Sequence, residues 1–317
     1  MKTWKQITSL ILAALFFVLL DLAIWLLFTR RCVSTFGNAY AAKAIEPADY
    51  LPFAEDSGVV KIEAEDKLTG ELPVLDGAAA LLPVYASVFH ALYPEGACVF
   101  ENGSYTPESR MQYRNTRGAY EAIVDGDADM IFCAGPSREQ AAYAEERGVD
   151  LVYVPIGKEA FVFLVNEKNP VDSLTQQQIR DIYAGKITNW RDVGGANRLI
   201  APLQRNEGSG SQTRFLKFMG DTPVKHGPLA VFGASIGFSF RYYVSGITKV
   251  PGVKLLRVDG VAPTPDNIQN GTYPLTGEFY AVYRRDDPNP NIQRILEFLL
   301  SESGQRLILE SGYVPIS

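Results

Sequence analysis

Residues 202 to 215 read PLQRNEGSGSQTRF. Arg205 stands four residues ahead of Ser209-Gly210-Ser211, and a stretch of helical spacing begins directly behind them. The first N–H groups of a helix have no internal partner and carry a partial positive charge. An oxyanion placed there accepts them. The serine hydroxyls would add neutral donors, Gly210 would allow close approach, and Arg205 would offer a planar fork for two oxygens. The same residues also suit a plain serine N-cap with a surface arginine, and spacing alone leaves both open.

Bond-making chemistry has no comparable candidate. The three cysteines, Cys32, Cys98 and Cys133, form no CxxC, and His90 and His226 stand at no metal-ligand spacing from them. Neither zinc spacing nor a Cys–His pair is present, and no nucleophile–base pair stands out. No enzyme activity, metal or cofactor is expected. Cys98 and Cys133 fall in the apolar runs ACVF and MIFCAG and suit buried thiols, with a disulfide as the alternative.

The chain has 317 residues, 47 % hydrophobic and 21 % charged, enough for a large core in one or two domains. A net charge of −6 supplies no basic footprint, so nucleic acid is not an expected partner. It does not exclude an anionic ligand, because surface charge is screened within about 10 Å.

The elements that must hold Arg205 and its serines follow from periodicity. From Leu72 short apolar runs alternate with helical patterns: LPVL, then a helix with Val84, Val88 and Leu92 on one face, then ACVFE. TRGAYEAIVDG predicts a helix capped by Thr116 and ended by Gly126. ADMIFCAG, SREQAAYAEERG and LVYVPIG follow as strand, helix and strand. This rhythm predicts an α/β fold with a largely parallel sheet and helices on both faces.

EAFVFLVN (159–166) and GEFYAVYRRD (277–286) are long strands that bracket a middle block, which suggests two lobes joined by two crossovers. In that block Thr175 and Gln178 form a capping box, Gly185 ends the helix, and LIAPLQR leads into the Arg205 turn. Tyr242 and Tyr243 are expected to alternate faces of a strand. Arg241 is expected on the surface, Trp190 in the core, and Tyr273 and Thr276 at the second crossover.

The N-terminus carries the apolar run Ile7–Phe28, 22 residues, about the length that crosses a bilayer. Asp21 interrupts it, at a cost of about 2.5–3.5 kcal/mol near the centre, which the surrounding Leu, Ile and Phe can offset. An uncleaved membrane anchor is the expectation, with a cleaved signal peptide as the alternative, and either places the rest outside the cytoplasm. The expected division is an anchor or signal at 1–30, a tether at 31–70, lobe 1 at 71–158 and 265–317, and lobe 2 at 159–264.

The runs NPVDSLTQQQIRDIYAGKITNWRDVGG, RNEGSGSQTRF and SGYVPIS resemble the phosphate ABC-transporter substrate-binding family, across about residues 70 to 317. That resemblance implies the two-lobed class II periplasmic-binding-protein fold, with two hinge crossovers and a ligand cleft between the lobes. It assigns Arg205, Ser209, Gly210 and Ser211 to the second-lobe half of the site, and Thr116 to a first-lobe hydroxyl position.

The first lobe departs from the pattern. Ala78 and Ala79 stand where the family has Ser or Thr, so only their N–H groups could face a ligand. The loop AGPSREQ offers Gly135 and Ser137 in place of the family's Asp, which accepts a proton from hydrogen phosphate. Asp76 lies nearby. The segment 220–236 is shorter than in relatives. The resemblance implies capture of phosphate or another small oxyanion for an ABC-transporter permease. The departures, with the anchor, keep a membrane-anchored sensing or accessory protein as the alternative.

Overall fold

The computed structural model describes residues 4, 15–23, 45–225 and 234–316. Strands β1 (Leu75–Gly77), β2 (Met130–Ala134), β3 (Leu151–Asn166), β4 (Ile200–Pro202), β5 (Ala234–Phe240), β6 (Val253–Leu255) and β7 (Thr276–Arg284) build one sheet. Its order is β1-β2-β7-β3-β5-β4, with β6 also paired to β3. The helices beside it are α1 (Leu82–Leu92), α2 (Asn115–Asp125), α3 (Arg138–Glu146), α4 (Gln176–Tyr183), α5 (Gly210–Met219), α6 (Pro265–Gln269), α7 (Pro290–Leu300) and α8 (Glu302–Glu310).

The sheet is mixed, not largely parallel. Only β1 with β2 and β4 with β5 run parallel; β7 is antiparallel to β2 and β3, and β3 to β5 and β6. The cause is the two long connecting strands, which run against their neighbours. ACVFE adds no strand to this sheet: among the described residues, Phe100–Glu101 pairs only with Ser104–Tyr105 in a short hairpin.

β3 is one continuous strand of 16 residues. Leu151–Ala160 pairs with β7, and Phe161–Val165 pairs with β5, so the chain changes lobes at Ala160 without leaving the strand. Thr276, the first residue of β7, sits opposite Ala160, which brings the two crossovers side by side. Tyr273 is buried there, and its hydroxyl donates to Phe161 O at 3.0 Å.

Alternation along the strands separates the cores. In β2, Met130 and Phe132 face the cluster under α1, α7 and α8, while Ile131 and Cys133 face the cluster under α2 and α3. The other lobe has its own aromatic core around Phe161, Phe163, Phe215 and Phe238. Trp190 lies in it, and its indole N–H donates to Ala234 O at 2.9 Å. Ile268, Tyr273 and Leu275 also pack in this core, beyond the expected edge at residue 264, because α6 and its following turn lie on the second lobe.

Residues 45–70 do not form a free tether. Ile45, Val59, Ile62 and Leu68 are buried in the first-lobe core, and Lys67 Nζ donates to His90 O and Ala91 O at the end of α1. The apolar side chains in this otherwise acidic stretch drive the docking. Of the expected anchor, residues 7–28, only 15–23 are described; they are helical and exposed, and the remainder lies outside the described residues. Among the described residues no helix is long and apolar enough to cross a membrane. Part of the short segment 220–236 also lies outside them, at 226–233.

Candidate anion-binding cleft

The carboxyl ends of β1, β2 and β4 open into one cavity of about 460 Å³ between the lobes, the position where open α/β sheets bind ligands. Ala78, Ala79, Thr116, Arg205, Ser209, Gly210 and Ser211 all line it. Ser137 does not.

The turn behind β4 is tightly built. Ser209 caps α5 by accepting from Gln212 N at 3.3 Å. Gln212 is buried, and its Oε1 accepts from Arg205 N at 2.9 Å while its Nε2 donates to Gln204 at 3.3 Å. One side chain thus fixes the backbone of Arg205 relative to the start of α5. Gly208 adopts φ +76°, which glycine accepts without strain. The hydroxyl hydrogen of Ser209 and the first-turn N–H groups of Gly210 and Ser211 are the donors such a helix start offers to an anion. The residue that sequence reasoning missed here is Gln212, although Ser-x-x-Gln at a helix start is a capping-box spacing.

The first-lobe wall is poorer in donors. Ala78 N donates to Phe132 O at 2.8 Å and is therefore unavailable to a ligand, contrary to the expectation from sequence. Ala79 and Ala80 lead into α1 and supply backbone only. β1 runs so close to β2 that a Cβ at Gly77 would stand 2.7 Å from Phe132 O.

Thr116 does not cap its helix. α2 begins at Asn115, which takes a left-handed φ of 60°, and Arg114 at the cap position makes no side-chain cap bond. Thr116 lies in the first turn and faces the cavity. Asn tolerates the left-handed region better than most residues.

Asp76 is not a ligand group. It is fully buried and accepts from Gly77 N, Arg114 N and Arg114 Nη1 at 2.7, 3.0 and 2.7 Å. Burial raises its carboxyl pKa against these bonds. It ties the β1 turn to the start of α2. Ser137 caps α3 in a capping box with Gln140, so its hydroxyl serves the helix.

Arg241 is not a surface residue. Its Nε lies 3.3 Å from Oε1 of the buried Glu159, and Nη2 donates to Gly312 O at 2.7 Å. The 3.3 Å approach is an ion pair without hydrogen-bond geometry at Nε. Glu159 also accepts from Ala160 N and Tyr242 N, and burial pushes its carboxyl up to about 7. Tyr242 and Tyr243 lie beyond the end of β5 in helical turns and do not alternate on a strand. Tyr243 lines the cavity, and burial holds its phenol above the usual range against the opposing pull of Arg205. Cys98 and Cys133 are free thiols; burial pushes Cys98 up to about 11 and Cys133 higher still.

The cleft therefore has a donor-rich second-lobe half built on α5 and a sparse first-lobe half centred on Thr116. Known proteins share this fold. The chain is 27% identical over 321 residues to the phosphate-binding protein PstS of Pseudomonas aeruginosa, covering 88% of this chain and 90% of that one. It is 28% identical over 293 residues to the protein SphX of Synechococcus elongatus, covering 77% and 86%. A phosphate ABC-transporter substrate-binding protein from Clostridium perfringens, solved with bound phosphate, matches in fold with a TM-score of 0.58 at 24% identity, covering 77% of this chain and 98% of that one. The sequence profile of the PBP superfamily domain matches residues 77–303, more than half of the chain, which therefore belongs to the PBP superfamily.

Proposed function

We propose that this protein captures phosphate, or another small oxyanion, between its lobes and presents it to the permease of an ABC transporter. The observation that carries this reading is the convergence of Arg205 and the Ser209–Ser211 helix start with Thr116 on one interlobe cavity. Relatives named phosphate-binding proteins support it. Binding needs no covalent step: N–H groups, hydroxyls and a guanidinium replace the anion's water, and lobe closure around it supplies the signal to the partner. Residues 7–28 would anchor the protein in the membrane with the cleft outside the cytoplasm.

A second reading, a membrane-anchored sensing or accessory protein with a different ligand or none, draws on the first lobe. Ala78 and Ala79 bring no hydroxyl, Ser137 lies outside the cavity lining, and Asp76 is committed to Arg114. Calorimetric titration of the full chain in detergent with phosphate, and then with sulfate, separates the two. Phosphate binding that Arg205→Ala abolishes supports the transport receptor. A folded protein that gives no heat with phosphate moves the function to the second reading.

A further inference from the structure

Below the anion cup, α5 carries two more cations on the cavity wall. Gly210, Arg214 and Lys217 follow one another at spacings of four and three, which places them on one helix face. At a rise of about 1.5 Å per residue, Lys217 lies roughly 10 Å along the axis from Gly210. Its Nζ reaches the first-lobe loop behind β2, at Gly135.

These cations have little to hold them. Lys217 makes no hydrogen bond or ion pair among the described residues, and Arg214 donates to Thr276 O at 3.0 Å but to no carboxylate. Arg214 is half-buried and Lys217 is exposed on the rim of the cavity; the partial desolvation of each lowers its pKa, and the charge of Arg214 adds to the effect at Lys217. Three carboxylates share the cavity wall, Glu159, Glu207 and Glu278, and among the described residues none lies within ion-pair distance of Arg214 or Lys217; Glu159 is paired with Arg241 instead.

The space is also larger than one tetrahedral anion needs. The lobes already approach each other across the cleft. A Cβ at Gly208 would lie 3.3 Å from Arg117, one at Gly210 3.4 Å from Thr116, and one at Gly135 3.5 Å from Lys217 Nζ. With these approaches made, a cavity of about 460 Å³ remains. A water's share of liquid volume is about 30 Å³, and organic ligands occupy pockets of about 300–1,000 Å³. A phosphate ion alone leaves most of this volume to solvent.

We infer that the cleft takes a phosphorylated compound with a second anionic group, the phosphoryl at Arg205 and Ser209–Ser211 and the second anion at Arg214 and Lys217. This rests on the proposed role of the Arg205 turn as an oxyanion cup. The second group would give Lys217 and Arg214 a charge-assisted partner within the cleft.

The test is calorimetry of the full chain in detergent with orthophosphate, pyrophosphate, 3-phosphoglycerate and glycerol 3-phosphate. Pyrophosphate or 3-phosphoglycerate should bind about tenfold or more tightly than both orthophosphate and glycerol 3-phosphate. Lys217→Met should collapse that preference, and Arg205→Ala should abolish binding of every ligand. Orthophosphate as the tightest ligand, or a preference that survives Lys217→Met, overturns the second subsite while leaving the cup intact. No binding of any of the four to folded protein removes the cup and this inference together. Lys217→Glu, checked for folding by circular dichroism, repeats the test with the charge reversed and should reverse the preference.

Discussion

Glu159 and Arg241 form an ion pair where the chain passes from one lobe to the other, with Oε1 3.3 Å from Nε and both side chains largely buried. Arg241 comes from the second lobe, yet it also donates to Gly312 O in the C-terminal segment. Tyr242 beside it stacks edge-on against Tyr313 at 4.9 Å. The pair is a third link between the lobes, next to the two crossovers.

This pair makes stability depend on pH. The folded-state pKa of Glu159 is raised by burial from 4.5 to about 7. The folded protein therefore keeps a proton that the unfolded chain releases between these values. Its stabilising contribution is full below about pH 4.5 and is lost as pH rises through about 7. At about 1.36 kcal/mol per pH unit the loss is roughly 3 kcal/mol. Glu159→Gln, which mimics the protonated acid, should remove this slope. Urea midpoints of both proteins at pH 5 and pH 8 should show the variant gaining on the parent as pH rises; parallel pH profiles would refute the assignment.

Thr116 is the one first-lobe hydroxyl among the sequence-predicted ligand residues that line the cavity. Thr116→Val keeps the shape and removes the donor. A lost hydrogen bond to a charged ligand, about 1.5–3 kcal/mol, predicts phosphate affinity weaker by roughly ten- to a hundredfold. Calorimetry reads this directly. Unchanged affinity would mean that the first lobe holds the anion by backbone alone.

Gln212 should matter for both the fold and the ligand. Gln212→Ala leaves Arg205 N without its acceptor and frees the turn that aims the guanidinium. A loss of about 1–3 kcal/mol in stability is expected from the unsatisfied buried donor. Weaker phosphate binding should accompany it, even though Gln212 is absent from the cavity lining. Thermal denaturation and titration of the same sample check the two effects.

Leu68 tests the docking of residues 45–70. It is 2 % exposed in the first-lobe core, so Leu68→Ala should destabilise the protein by about 2–5 kcal/mol. A residue in a free tether would cost nothing. Chemical denaturation distinguishes the two outcomes.

Local chemistry was legible in the sequence. Ser209, Gly210 and Ser211 behind an apolar run predict a helix start, and the helix starts there. The Thr175–Gln178 box and the Gly126 stop hold for the same reason: their bonds close within a few residues. The two-lobe layout could be expected from the long strands at Glu159 and Gly277, because buried strands read as continuous apolar runs.

Only tertiary structure decided which polar groups were left for a ligand. Asp76, Ser137 and Arg241 have the right types for a binding site. Asp76 is used by Arg114, Ser137 by Gln140 and Arg241 by Glu159. Those partners lie 38, 3 and 82 residues away in the chain, and only the short Ser137–Gln140 bond leaves a local trace. The docking of Leu68 and the approach of Thr116 to Gly210 are contacts of the same long-range kind. Periodicity records which face of an element is buried, but not what it is buried against. Assembly of the cup therefore depended on the packing of α5 against β5 and on the passage of β3 between the lobes.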